Sequence, residues 1–211
     1  MAGELRHPLF ARFFDRFSWA VEGDMGPLRD RLLEGLHGRV LEIGAGNGIN
    51  FAHYPPSVVE VVAVEPEPYL RSKAEGAAGK ARVAVTVRSG LAGELEFEPA
   101  SFDAAVCSLV LCSVPDQDAA FQELHRVLRP GGQLRFLEHV RGRGATKARV
   151  QRILDRSGLW PALFGGCHCG RDTLATLREA GFDIERLQTI DLGPSWLISN
   201  PHVTGTAVAV P

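Results

Sequence analysis

The sequence predicts an α/β fold, a doubly wound and mainly parallel sheet of seven strands with helices in front of it. Three observations predict it. Short apolar runs alternate with helical segments between residues 38 and 140, the pattern of strand-crossover-strand units. The first run breaks into Gly44-Ala45-Gly46-Asn47-Gly48, a turn that brings bare backbone to a strand end. The last two apolar runs have no helix between them, as expected of an antiparallel pair closing a parallel sheet.

The elements follow in order. The first 36 residues read as helices, with Phe10, Phe13, Phe14, Phe17 and Val21 at spacings of three and four on one apolar stripe. Gly26-Pro27 restarts a helix that ends near His37-Gly38. Strands are expected over 40–43, 58–64, 83–87, 104–111 and 133–140, with a helix after the glycine turn. A helix over 118–128 carries Phe121, Leu124, Val127 and Leu128 on one face, and Pro130-Gly131-Gly132 stops it. Helices over 146–160 and 172–180 then precede strands over 182–190 and 203–210.

With 211 residues, 45% of them hydrophobic, the chain can bury one core and reads as a single domain. Its parts would be a helical cap over 1–37, a core over 38–140 and a final section over 141–211. The formal net charge of −2 argues against a nucleic-acid or anionic-lipid partner. Arg6, His7, Arg12, Asp15 and Arg16 interrupt the first segment, so neither a signal peptide nor stable membrane insertion is expected. Cys107, Cys112, Cys167 and Cys169 do not resemble the disulfide framework of a small secreted domain, and a cytoplasmic location is expected. Cys167-His168-Cys169 offers no second pair at zinc-binding distance, so no metal is expected. The oligomeric state stays open.

The glycine turn narrows the chemistry. A dinucleotide-binding turn reads G-x-G-x-x-G and seats a pyrophosphate, whereas Ile49 and Asn50 stand where its last glycine would be. Glu65, followed by Pro66, closes the second strand about 20 residues on, where an acid can grip ribose hydroxyls. S-adenosylmethionine has a ribose and an adenine but no phosphate, so the turn favours that methyl donor over NAD. The same glycines also suit a plain strand-to-helix connection in any α/β protein.

Taken as a set, the turn, Glu65, Ser101-Phe102-Asp103 and Leu128-Arg129-Pro130-Gly131-Gly132 resemble the class I S-adenosylmethionine-dependent methyltransferases, whose fold is Rossmann-like. Finer details are similar to the methyltransferase-like seven group, which includes thiol S-methyltransferases: Cys107 to Val114, Phe136-Leu137-Glu138-His139-Val140, Gly166-Cys167-His168 with Arg171-Asp172-Thr173, Pro194-Ser195-Trp196 and Pro201-His202-Val203. The animal members carry an apolar N-terminal anchor that this chain's amphipathic first segment does not match, so membrane attachment does not carry over. The resemblance implies that Glu42, Gly44, Gly46 and Gly48 border the methionine part of the donor. It puts Glu65 and Pro66 at the ribose, Leu91 and Ala92 at the adenine, and Leu109 below the sulfonium.

Methyl transfer from a sulfonium needs alignment and exclusion of water. A small thiol acceptor, favoured by the resemblance, is mostly protonated at neutral pH, and His139 and His168 are the candidate bases. A histidine satisfied at a strand end, or idle in a loop, is the alternative for each. Phe13, Phe14, Phe17 and Trp19 of the first helix, with the loop 165–171, would cover the acceptor. Two rival functions remain: a C- or O-methyltransferase for a quinone, lipid or natural product, and a donor-binding regulatory protein without catalysis.

Overall fold

The computed structural model describes residues 5–194 and 196–210. Residues 1–4 of the expected cap, Ser195 and Pro211 lie outside them. Among the described residues seven strands form one sheet: β1 (Gly38–Ile43), β2 (Val58–Val64), β3 (Ala84–Arg88), β4 (Phe102–Ser108), β5 (Leu128–His139), β6 (Phe182–Ile190) and β7 (His202–Ala209). Their order is β3-β2-β1-β4-β5-β7-β6. The first five run parallel, and β7 lies antiparallel between β5 and β6. The helices are α1 (Pro8–Ala20), α2 (Glu22–Leu33), α3 (Pro68–Ala78), α4 (Gln117–Val127), α5 (Ala145–Arg156), α6 (Leu159–Leu163) and α7 (Thr173–Glu179).

The central strands are apolar on both sides because both faces are covered. Leu41, Ile43, Phe102, Ala105, Leu134 and Phe136 pack on one face under α4 and α7. Val40, Val61, Ala63, Ala104 and Val106 pack on the other under α2 and α3. The strand order reverses between β1 and β4, which opens a crevice at the carboxyl ends of the strands.

Several boundaries differ from expectation, among them the end of β4 at Ser108 instead of Leu111 and the end of α2 at Leu33 instead of near His37. Pro27 lies inside α2 instead of starting it: Val21 caps the end of α1 and the start of α2, and burial of Met25, Leu32 and Leu33 outweighs the imino acid. The glycine turn opens into a single 3-10 turn, Ile49–His53, which Pro55 and Pro56 cut short. β5 starts five residues early, with Arg129 to Gly132 bulged out between the pairs Phe102–Leu128 and Ala104–Gln133. The segment 146–160 splits at Gly158 into α5 and α6.

The stripe on α1 also divides. Ala11 and Ser18 mark the buried line, and Phe10 and Phe14 flank it half-buried. Phe13 and Phe17 stack on each other at 5.5 Å and stay 57% and 50% exposed, with Trp19 at 58%. Phe13, Phe17 and Trp19 therefore do not line the crevice, whereas Phe10 and Phe14 do. Positions 10 and 14 share one side of the helix, and 13 and 17 the next.

Candidate active site

The cleft at the β1–β4 crevice is built from four strand ends. Gly44 and Gly46 come from the turn after β1, Glu65 and Pro66 from the end of β2, Leu91 and Ala92 from the loop after β3, and Leu109 and Val110 from the exit of β4. Phe10 and Phe14 of α1 and Gly165 of the loop before α7 roof it. Two residues expected there lie elsewhere. Glu42 is fully buried beneath the turn, where its Oε1 accepts from Asn50 Nδ2 at 2.8 Å and its Oε2 from the Tyr54 hydroxyl at 2.8 Å. Asn50 in turn accepts from Arg29 Nη1 at 2.6 Å. Gly48 is packing: a side chain there would meet Phe51 and Ala77 within 3 Å.

Burial pushes the Glu42 carboxyl up to about 7 despite its two donors. Glu65 is also raised by burial. Its Oε2 accepts from Gly46 N–H at 2.7 Å and its Oε1 from Glu67 N–H at 2.9 Å, so the carboxylate clamps the glycine turn to the end of β2. An acid at this place often caps the next helix. Here Glu67 does so, accepting from Leu70 N–H at 2.8 Å, which leaves Glu65 at the cleft.

Gly46 has φ +58, and a Cβ on it would lie 3.1 Å from Phe14. At Gly44 it would lie 2.2 Å from the Val110 side chain. Leu109 takes φ +57, a strained conformation for a branched side chain. Its N–H bonds to Leu137 O at 2.7 Å, and the chain turns sharply out of β4 there. The fully buried Glu138 completes that turn by accepting from Val110, Leu111 and Cys112 N–H at 3.0, 2.9 and 3.3 Å. Next to it the Ser108 hydroxyl is buried without a partner, although it lines the cleft.

The histidines expected as bases stand behind this wall. His139 Nδ1 lies between Cys167 Sγ at 3.2 Å and Cys112 Sγ at 3.6 Å. His168 is half-buried, its N–H bonded to Cys112 O at 2.8 Å, and burial with the Arg171 guanidinium holds its ring below the usual imidazole range. Neither lines the cleft. Sequence reasoning missed Ser108 and Glu138, since polar residues inside apolar strands carry no signal of which groups they will meet.

Comparison with known proteins agrees with this geometry. A methyltransferase-domain family model matches residues 41–136. Human thiol S-methyltransferase TMT1A is 38% identical over 80% of this chain and 70% of that protein. Rat thiol S-methyltransferase TMT1B is 36% identical over 80% and 70%. An S-adenosylmethionine-dependent methyltransferase from Mesorhizobium loti shares the fold at TM-score 0.65, with 20% identity over 87% of this chain and 97% of that one. The chain belongs to the S-adenosylmethionine-dependent methyltransferases, in the group that holds these thiol S-methyltransferases.

Proposed function

We propose that this methyltransferase methylates the sulfur of a small thiol, with the donor in the cleft between the ends of β1, β2, β3 and β4. The observation that carries the donor assignment is the convergence of Gly44, Gly46, Glu65, Leu91, Ala92 and Leu109, from four separate strand ends, on one cleft. The sulfur acceptor is supported by the activity named for the relatives.

The cleft fits S-adenosylmethionine in its chemistry. It offers a turn without side chains, a buried carboxylate for ribose hydroxyls and an unpartnered Ser108 hydroxyl. Bound there, the donor supplies a methyl group already activated by a sulfonium. Gly44 and Gly46 let backbone approach the amino-acid end, Glu65 with Pro66 beside it orients the ribose, and Leu91 and Ala92 offer backbone to the adenine. Glu42 and Gly48 act from behind, holding the turn in shape. Leu109 and Val110 form the floor against which donor and acceptor are aligned.

The cavity measures about 140 Å³, below the roughly 300–1,000 Å³ of typical ligand pockets. Phe10 and Phe14 fill the difference, so α1 swings out to admit ligands and closes to exclude water. We assign removal of the acceptor's proton to His168, which lies outside the cleft lining and reaches the acceptor only when its loop, whose Gly165 is part of the roof, closes over it. His139, held between two sulfurs, positions the loop instead. The reaction is placed in the cytoplasm, a reducing compartment that keeps the four free cysteines reduced. Among the described residues no helix is long and apolar enough to cross a membrane.

Calorimetric titration with S-adenosylhomocysteine and with NAD tests the donor site. Turnover on a panel of small thiols, phenols and quinones tests the acceptor. Binding of the methyl donor's product but not NAD, with turnover on thiols, is expected. Tight NAD binding overturns the donor reading, and turnover confined to phenols or quinones overturns the sulfur acceptor. His168→Ala should slow methylation of weakly acidic alkyl thiols far more than of acidic aromatic thiols, which arrive already ionised. Equal slowing of both classes would remove His168 from proton transfer.

A further inference from the structure

Three soft-ligand side chains from three distant parts of the chain meet behind the cleft wall. Cys112 stands in the turn after β4, His139 ends β5, and Cys167 lies in the loop before α7. Their ligand atoms, the two Sγ and an imidazole nitrogen, lie within 4.8 Å of one another. Cys112 is 1% exposed and Cys167 4%. Among the described residues this is the group of histidine, cysteine and acidic side chains that converges closely enough to hold an ion.

We propose that Cys112 Sγ, His139 Nδ1 and Cys167 Sγ form a binding site for a thiophilic divalent cation, zinc in the cell, with a fourth position left to water or a small external ligand. Zinc bonds sulfur at about 2.3 Å and imidazole nitrogen at about 2.0–2.1 Å, and at a tetrahedral angle this separates the two ligand atoms by roughly 3.5 Å. His139 Nδ1 already stands 3.2 Å and 3.6 Å from the sulfurs. On binding, each thiol releases one proton to solvent and the imidazole keeps its proton on Nε2. Two thiolates and one dication then leave the buried site without net charge, which lowers the cost of burying it.

The backbone under these ligands is pinned. Glu138 fixes the Cys112 turn through three N–H donors. His168 N–H, one residue past Cys167, bonds to Cys112 O and ties the two cysteine-bearing segments together. Arg171 Nη1 donates to Leu111 O at 3.1 Å and Val114 O at 2.7 Å, on either side of Cys112. The His202 ring packs on His139 at 4.3 Å and fixes its orientation. Ser113, whose hydroxyl lies 3.6 Å from Cys112 Sγ, also lines the cleft. The C-x-C spacing of Cys167 and Cys169 conceals all this, because the second thiol is Cys112 and Cys169 turns away to Asp155.

The test uses the full chain, reduced and stripped with a chelator, then titrated with Co²⁺ as a spectroscopic probe and with Zn²⁺ against a chromophoric competitor. One equivalent per chain is expected, with thiolate-to-cobalt charge-transfer absorption and the visible bands of a tetrahedral ion. Cys112→Ser, Cys167→Ser and His139→Ala should each weaken zinc binding by about a hundredfold or more, at or beyond the top of the range for losing a ligand's support. Cys107→Ala should leave it unchanged. Circular dichroism melts identify any variant that fails to fold, and the wild-type titration stands without them. Absence of stoichiometric binding by the reduced wild type, binding that survives Cys112→Ser and Cys167→Ser, or a Cys112–Cys167 disulfide in protein isolated under non-reducing conditions would each overturn the site.

Discussion

Glu65 holds the glycine turn with one oxygen and the start of α3 with the other, so its loss affects the cleft on two sides. Glu65→Ala should weaken donor binding by roughly 1–3 kcal/mol, the usual cost of a charge-assisted hydrogen bond, read by calorimetry. Unchanged affinity would remove it from the site. Gly46→Val combines a left-handed φ of +58 with a side chain driven at Phe14. It should abolish donor binding while the rest of the fold persists, and a folded variant with normal affinity would contradict the assignment. Glu42 makes a pH prediction. Its folded pKa of about 7 lies above the ordinary 4.5, so the protonated group favours the fold below about 4.5 and that contribution is lost as the pH rises to about 7. The melting-temperature gap between wild type and Glu42→Gln should shift in favour of the variant across that window and be flat above it. A gap independent of pH would show an ordinary carboxyl. At this scale the sequence was legible for the placement of Gly46 and Glu65 at the cleft, which follows from a strand end and a turn. It was not for Glu42, because its fate depends on Asn50 and Tyr54, which a 3-10 turn brings underneath it.

Element by element, the strands were the most legible parts: the runs at 58–64 and 182–190 match the observed β2 and β6 residue for residue. Boundaries slipped where tertiary contacts override local chemistry, as at Pro27 and at the bulge before Gln133. The least legible property of α1 was which side faces in, since five aromatic or aliphatic residues span more surface than the cleft can cover. What fastens α1 is polar. Asp15 Oδ1 accepts from Asn47 Nδ2 and its Oδ2 from the Tyr69 hydroxyl, both at 2.9 Å, and the Ser18 hydroxyl accepts from the same Asn47 amide at 2.9 Å. Asp15→Ala therefore loosens the roof without touching the floor. Stopped-flow measurement should show faster donor association and slower turnover, whereas unchanged association would mean that α1 does not gate the cleft. Deleting residues 1–22 carries the argument further: a roof predicts a folded core with residual donor binding and no turnover, and global unfolding would make α1 a core element.

For the whole molecule, alternation of strands and helices revealed the parallel part of the sheet, and the missing helix between the last two runs revealed the antiparallel pair. What no local pattern shows is the order β5-β7-β6, in which the final strand inserts between two earlier ones. That insertion makes the C-terminal section part of the core. Val203, Ala207 and Ala209 of β7 and Phe182 of β6 share one apolar cluster with Leu134 and Phe136 of β5 and with Leu177 of α7. Gly205 sits so close to Phe136 and the Arg186 carbonyl that a Cβ there would approach within 2.7 Å and 2.3 Å. We therefore propose that the cap, the core and the section over 141–211 unfold as one domain. Calorimetry on the full chain should give a single transition whose measured and van't Hoff enthalpies agree. A chain ending at residue 180 loses both antiparallel strands, exposes one edge of β5 and uncovers Phe136 and Leu134, so it should lack a cooperative transition and aggregate. A soluble fragment of that length that still binds the donor would show that the parallel part folds alone and that β6 and β7 are an addition to it.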